Sequence, residues 1–119
     1  DMRVVPGTET PLRILRSSSP RYSVFSLWDT YRTVHPLLTL LYPREQTDMV
    51  RSMLGMFEES GELPKWELNG NETHIMVGDP AAAVVADTWM KGLRGFDPEL
   101  AWRAIAATAF PHEEGRNPV

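Results

Sequence analysis

Ten prolines and eight glycines in 119 residues cut this chain into short stretches. Proline has no amide hydrogen and a fixed φ, and glycine enters the left-handed region without strain, so both bound regular structure. The longest helical stretch this leaves runs from Arg44 to about Ser60. There Met49, Val50, Met53, Leu54 and Phe57 recur at spacings of three and four, which makes one apolar face. Glu45, Asp48, Arg51, Glu58 and Glu59 fall mostly off that face, and Gly61 suits the residue just past a helix end.

Two further helices announce themselves by Asp-Pro pairs, an N-cap followed by proline in the first turn. Asp79-Pro80 opens one through Lys91, with Val84, Val85, Thr88 and Trp89 inward and Gly92 as the stop. Asp97-Pro98 opens another through Phe110, carrying Ala101, Ile105 and Ala109, before Pro111. Upstream, Asp29-Thr30 predicts the N-cap of a short helical stretch through Val34. His35-Pro36 is expected to break it and restart it as Leu37 to Tyr42, because the residue before proline avoids the α region. The expected fold is therefore all-α: helices over 44–60, 80–91 and 98–110, with Met53, Phe57, Val85, Trp89 and Ile105 most buried. Residues 1–20, with three prolines, read as an extended N-terminal arm holding a short strand near Leu12–Leu15 and a turn at Ser19-Pro20. Residues 21–119 form the helical domain, with a frayed tail from His112.

Composition narrows the function. Twelve Lys and Arg against sixteen Asp and Glu give a net charge of −4, and no long basic run offsets it, which argues against binding a nucleic-acid backbone. No apolar stretch approaches the ~18 residues of a membrane span. Asp1 to Pro6 lack the layout of a signal peptide. With no cysteine, disulfides, thiolate metal sites and thiol nucleophiles are excluded together.

Two segments combine polar groups with aromatics beyond what packing needs. In Phe25 to Thr33, Trp28 followed by Asp29 and Arg32 offers an apolar face for a pyranose ring with an acceptor and a donor for hydroxyls. The competing reading of Asp29 is a plain helix cap, and of Trp28 a core residue. Residues 62–79 have no helical period, contain the Asn69-Gly70-Asn71 turn, and read as a long structured loop. On it Lys65, Trp66, Asn71, Glu72 and His74 are candidates to line a pocket, against a surface role for Glu72. His35 reads as structural and His112 as part of the tail, while His74 has no partner at metal-ligand spacing. Inverting glycoside hydrolysis needs two carboxylates ~6.5–9.5 Å apart. Asp29, Glu72, Asp79 and Asp87 are the available ones, and spacing does not choose among them.

The run Phe25-Ser26-Leu27-Trp28-Asp29-Thr30-Tyr31-Arg32-Thr33-Val34-His35-Pro36-Leu37-Leu38-Thr39-Leu40 resembles a signature of glycoside hydrolase family 92, the exo-acting α-mannosidases. So do Gly61 to Trp66, Asn71 to Thr73, Met76 to Asp79, and Asp87 with Lys91 to Asp97, in the same order. The resemblance covers roughly residues 22–110. It implies an early section of an (α/α)6 barrel, a mannose-containing glycan as substrate, calcium as the family's cofactor, and a secreted or periplasmic setting. By position it implies sugar contact for Asp29, with Trp28, Arg32, Trp66 and Glu72 around it. Asp79-Pro80 stands where the family often carries a histidine. The family's catalytic acid, base and calcium ligands belong to motifs without counterpart here, so the resemblance implies a fragment that is inactive alone. The alternative from another class is a small non-catalytic carbohydrate-binding or protein-interaction helical module. A slice of a barrel is also expected to expose apolar faces, to be covered by the rest of the barrel or by self-association.

Overall fold

A computed structural model describes residues 20–110, together with the backbone of a two-residue antiparallel pairing of Met2–Arg3 (β1) with Arg13–Ile14 (β2). That pairing includes part of the strand expected near residue 13. The rest of the N-terminal arm and the tail from His112 lie outside the described residues.

The body is all-α, as the periodicity predicts. Short helix α1 (Leu27–Thr30) leads to α2 (Val34–Leu41), α3 (Pro43–Ser60), α4 (Pro80–Met90) and α5 (Pro98–Ala109). The helix α3 is the centre: α2, α4 and α5 all pack on it, α4 also meets α1 and α2, and α4 touches α5. Val50, Met53, Leu54 and Met56 of α3 are buried with Ala81, Val84 and Val85 of α4 and with Ala101 and Ala104 of α5. Phe25, Leu27, Leu63 and Phe96 close this core from the connecting segments. Of the residues expected to be most buried, Met53 and Val85 are, whereas Phe57, Trp89 and Ile105 pack on the core half-buried.

Helix boundaries follow local chemistry. Gly61 adopts φ 84° and its N–H reaches Phe57 O at 2.7 Å, the left-handed ending that a residue with a Cβ resists. Asp97 caps α5 with its carboxylate, which accepts from Glu99 N–H at 2.9 Å. Asp79 occupies the equivalent position on α4 but its side chain makes no cap bond; it turns to Lys65 Nζ at 3.7 Å. Two expectations shift. The cap of α1 is Ser26, and Asp29 sits within the first turn, accepting from Ser26 Oγ. The break falls at Tyr31–Thr33 rather than at His35-Pro36, because Pro36 falls within the first turn of α2, where its missing N–H leaves no bond unmade.

The buried polar groups form a chain across the bundle. Thr88 Oγ1 donates to Val84 O, so it must accept from Gln46 Nε2 at 2.9 Å. Gln46 Oε1 then faces His35 Nδ1 at 2.9 Å, which places the imidazole proton on Nδ1. Burial holds His35 below the usual imidazole range, a lowering that the Gln46 bond opposes without cancelling. A histidine with a lowered folded-state pKa stabilises the fold fully above 6.5, and that contribution is lost as pH falls from 6.5 towards the folded value. Urea unfolding of the chain should therefore show lower stability at pH 5.5 than at pH 7.5, and His35→Gln should remove much of the difference. An unchanged pH dependence in that variant would refute the assignment.

At the other connection, a Cβ on Gly95 would stand 2.5 Å from Thr47 Cγ2. Thr47 cannot simply rotate away, because its Oγ1 bonds Pro43 O at 2.8 Å. Gly95→Ala should cost about 1–3 kcal/mol of stability by overpacking. Adding Thr47→Ser, which deletes only the clashing methyl, should restore most of it in the same urea measurement.

Candidate functional site

The two motif segments, far apart in sequence, meet along one seam. Residues 67–72 form a hairpin of β3 (Glu67–Leu68) and β4 (Asn71–Glu72), turned by Asn69 at φ 51° and Gly70 at φ 84°. Two successive positive φ values define the tight hairpin turn that Asn-Gly favours. Leu27 N–H at the start of α1 donates to Lys65 O at 3.0 Å, joining the Trp28–Asp29 turn to the strand-side loop. Glu67, buried at 3% exposure, accepts from the N–H groups of Val24 and of Phe25, the latter at 2.8 Å. Val24 has φ 61°, a left-handed backbone that costs a β-branched residue about 1–3 kcal/mol.

Of the residues that sequence reasoning singled out, Trp28 and Asp29 lie in α1 and Arg32 in the turn directly after it. Trp28 is 46% exposed, and the Arg32 guanidinium lies 5.8 Å from its ring centroid and 5.1 Å from that of Tyr31. Cation–π contact of this kind holds the guanidinium beside a partly exposed indole. Asp29 is exposed, and one of its oxygens is engaged by Ser26 Oγ. Trp66 is half-buried, next in chain to the carbonyl that accepts Leu27 N–H.

Glu72 is the anchor of its own loop. Its carboxylate accepts from the N–H groups of Lys65 at 2.6 Å, Trp66 at 3.1 Å, Thr73 at 2.9 Å and His74 at 3.1 Å. Both oxygens are thus taken by backbone donors, and the side chain shapes the loop around Trp66. Elsewhere on the loop, His74 Nε2 approaches Glu62 Oε1 at 3.6 Å and Lys65 pairs with Asp79. Asp87 pairs with Lys91 one turn along α4 at 2.6 Å. Eight residues of helix set Asp87 about 12 Å from Asp79 along the axis, too far for an acid–base pair across one glycosidic bond.

Glu67 went unrecognised in the sequence as anything but one charged residue of the loop. Its only local signal is its place directly opposite Glu72 in a hairpin. Like charges so placed repel unless each finds donors of its own.

An open cleft of about 590 Å³ lies between α3, α5 and the α4–α5 connection, lined by Arg51, Gly55, Arg94, Phe96 and Leu100 among others. None of the sequence-predicted site residues lines it. Chemistry and volume therefore part company, and the aromatic and charged side chains of the seam are the better candidate. No helix among the described residues is long and apolar enough to cross a membrane.

The family model for the glycosyl hydrolase family 92 catalytic domain matches residues 8–118, and the chain belongs to that family. It is similar to the family GH92 α-mannosidase BT3965 of Bacteroides thetaiotaomicron in complex with mannoimidazole, at 42% identity and a TM-score of 0.74 over 79% of this chain and 13% of that one. Against a second structure of BT3965 the identity is 40% and the TM-score 0.77, over 83% of this chain and 14% of that one. The GH92 inverting mannosidase BT2199 of Bacteroides thetaiotaomicron VPI-5482 shares 36% identity at a TM-score of 0.71, over 81% of this chain and 13% of that one. The chain thus spans about one-seventh of the length of the solved enzymes it matches. The comparison with curated proteins finds no match.

Removing the Glu72 charge tests its anchoring role. Glu72→Gln should lower stability by about 1–3 kcal/mol, since one amide cannot accept from four N–H donors. Amide exchange at Lys65 and Trp66 should accelerate in step, and unchanged protection there would contradict the assignment.

Proposed function

We propose that this chain supplies part of the mannose-binding rim of a calcium-dependent, inverting α-mannosidase acting on terminal mannose of glycans. The observation that carries this reading is the exposed Trp28 with Asp29 and Arg32 beside it, in a chain of this family that is similar to a mannosidase solved with mannoimidazole. In this reading the indole face receives the apolar face of a pyranose ring. Asp29 accepts from sugar hydroxyls, Arg32 donates to them, and Trp66 adds a second apolar wall. Glu72 contributes by fixing the loop that carries Trp66.

The hydrolytic step belongs elsewhere. Inversion requires an acid and a base on opposite sides of the bond. Glu72 is committed to backbone donors, and Asp87 is turned to Lys91. Among the described residues no three His, Cys, Asp or Glu side chains gather as a metal-ion site. The described residues do not fit calcium, and in our reading its ligands, the acid and the base come from parts of the relatives' chain that this segment does not span.

The apolar surface agrees with a segment made to be enclosed. Leu37, Leu40 and Leu41 of α2 stand exposed, as do Met90, Trp102 and Phe110, with Leu40 at 76%. In our reading these faces pack against the remaining helices of an (α/α)6 barrel or, in isolation, against a second copy.

The isolated chain should release no mannose from an α-linked dimannoside, with or without calcium. Calcium-dependent release that Asp29→Asn abolishes would overturn the reading. Sedimentation of the same sample should show self-association, or urea unfolding a stability below the ~5–15 kcal/mol of a complete domain. A strict monomer of ordinary cooperative stability would identify a finished domain instead.

A further inference from the structure

We infer that Glu67 is a positioning residue for sugar recognition: its buried carboxylate clamps the Val24–Phe25 backbone and so sets where Trp28 and Asp29 present themselves. The inference rests on the reading that those two side chains contact sugar, and it adds the residue that aims them.

The geometry runs in three linked holds. Glu72 gathers the N–H groups of Lys65 and Trp66, which fixes the carbonyl of Lys65. That carbonyl accepts Leu27 N–H, the first amide of α1. Glu67, directly opposite Glu72 in the hairpin, takes two amides further upstream, those of Val24 and Phe25. Successive N–H groups converging on one anion form a concave backbone cradle, and the left-handed conformation of Val24 is what turns them to the same side. Val24 has no steric reason to hold that conformation, and the residue is 60% exposed, so packing does not impose it. The buried carboxylate does. Downstream, Phe25 and Leu27 are buried on either side of Ser26, and α1 is only four residues long. So short a helix cannot orient itself, and its direction is inherited from the clamped backbone before it.

The clamp requires a carboxylate of this length. A glutamine in its place offers one acceptor, and its amide group meets the second N–H donor to donor. An aspartate is one methylene shorter and cannot reach both amides from the same strand position.

The test compares the wild-type chain with Glu67→Gln, Glu67→Asp and, as a core control for general destabilisation, Met53→Ala. Each is titrated with methyl α-mannopyranoside while the Trp28 indole resonance is followed, and amide exchange is recorded at Val24, Phe25, Gln46 and Thr88. The expected result is a Trp28 response in the wild type and in Met53→Ala, with apparent affinity at least tenfold weaker in both Glu67 variants. Protection at Val24 and Phe25 should fall selectively in those variants while Gln46 and Thr88 keep theirs. Glu67 variants whose affinity stays within twofold of wild type, or whose Val24 and Phe25 amides stay protected, overturn the inference while leaving the sugar-rim reading intact. An equal loss of affinity in Met53→Ala reduces Glu67 to general stability and also overturns it. A wild-type chain with no Trp28 response removes the sugar reading itself, and this inference with it.

Discussion

Irregular backbone buried against a helical core has amide hydrogens that no helix or sheet satisfies, and leaving one unmet costs about 1–3 kcal/mol. The rest of this structure depends on how that demand is met around residues 22–27 and 62–74. Two carboxylates from one small hairpin take six of these N–H groups: Glu67 those of Val24 and Phe25, Glu72 those of Lys65, Trp66, Thr73 and His74. Helix hydroxyls take others. Ser52 accepts from Tyr22 N–H and Thr108 from Leu63 N–H, each hydroxyl being oriented by its own donation to the carbonyl four residues back. Thr88 uses the same arrangement for Gln46. Donating along the helix leaves the oxygen lone pairs facing outward as acceptors, so a helix surface becomes a docking strip for loops.

This solution also explains why the candidate sugar-facing side chains can stay exposed without being loose. Trp28 and Asp29 belong to a four-residue helix with little stability of its own, and Arg32 lies in the turn that follows it. Buried Phe25 and Leu27 hold it to the core, and the hairpin carboxylate holds the backbone on its N-terminal side. The entry to the seam is tied down as well: Arg21 and Glu59 form a two-point ion pair at 2.7 and 2.8 Å, with both side chains mostly shielded. Planar, two-point pairing of this kind fixes direction as well as distance.

Family membership and the distribution of apolar surface bear on each other. A chain that spans about one-seventh of its solved relatives carries a core centred on α3 and leaves much of α2 open to solvent. Leucines at 37, 40 and 41 are more apolar surface than one eight-residue helix needs to meet α3 and α4. The buried His35–Gln46–Thr88 chain points the other way, towards α3 and α4, and pins α2 by directed bonds where its apolar contacts are divided between two sides.

Much of the fold was legible in the residues alone. The three long helices, the Gly61 ending, the Asn69-Gly70 turn and the Asp97 cap each follow from nearest-neighbour chemistry: periodicity, a missing Cβ, a missing N–H, a side chain within reach of its own backbone. The resemblance likewise attached to contiguous runs such as Phe25 to Leu40 and led to the right family. The tertiary structure decided what Glu67 and Glu72 do, that the Asp79 side chain turns from the helix end to Lys65, and that the α1–α2 break falls at Tyr31–Thr33. A carboxylate reads the same in sequence whether it faces water, a sugar or a backbone amide. For Glu67 that is set by Val24 and Phe25, 43 and 42 residues away, and for Glu72 by a loop that closes on itself over seven residues; only the folded chain brings either set within hydrogen-bonding reach.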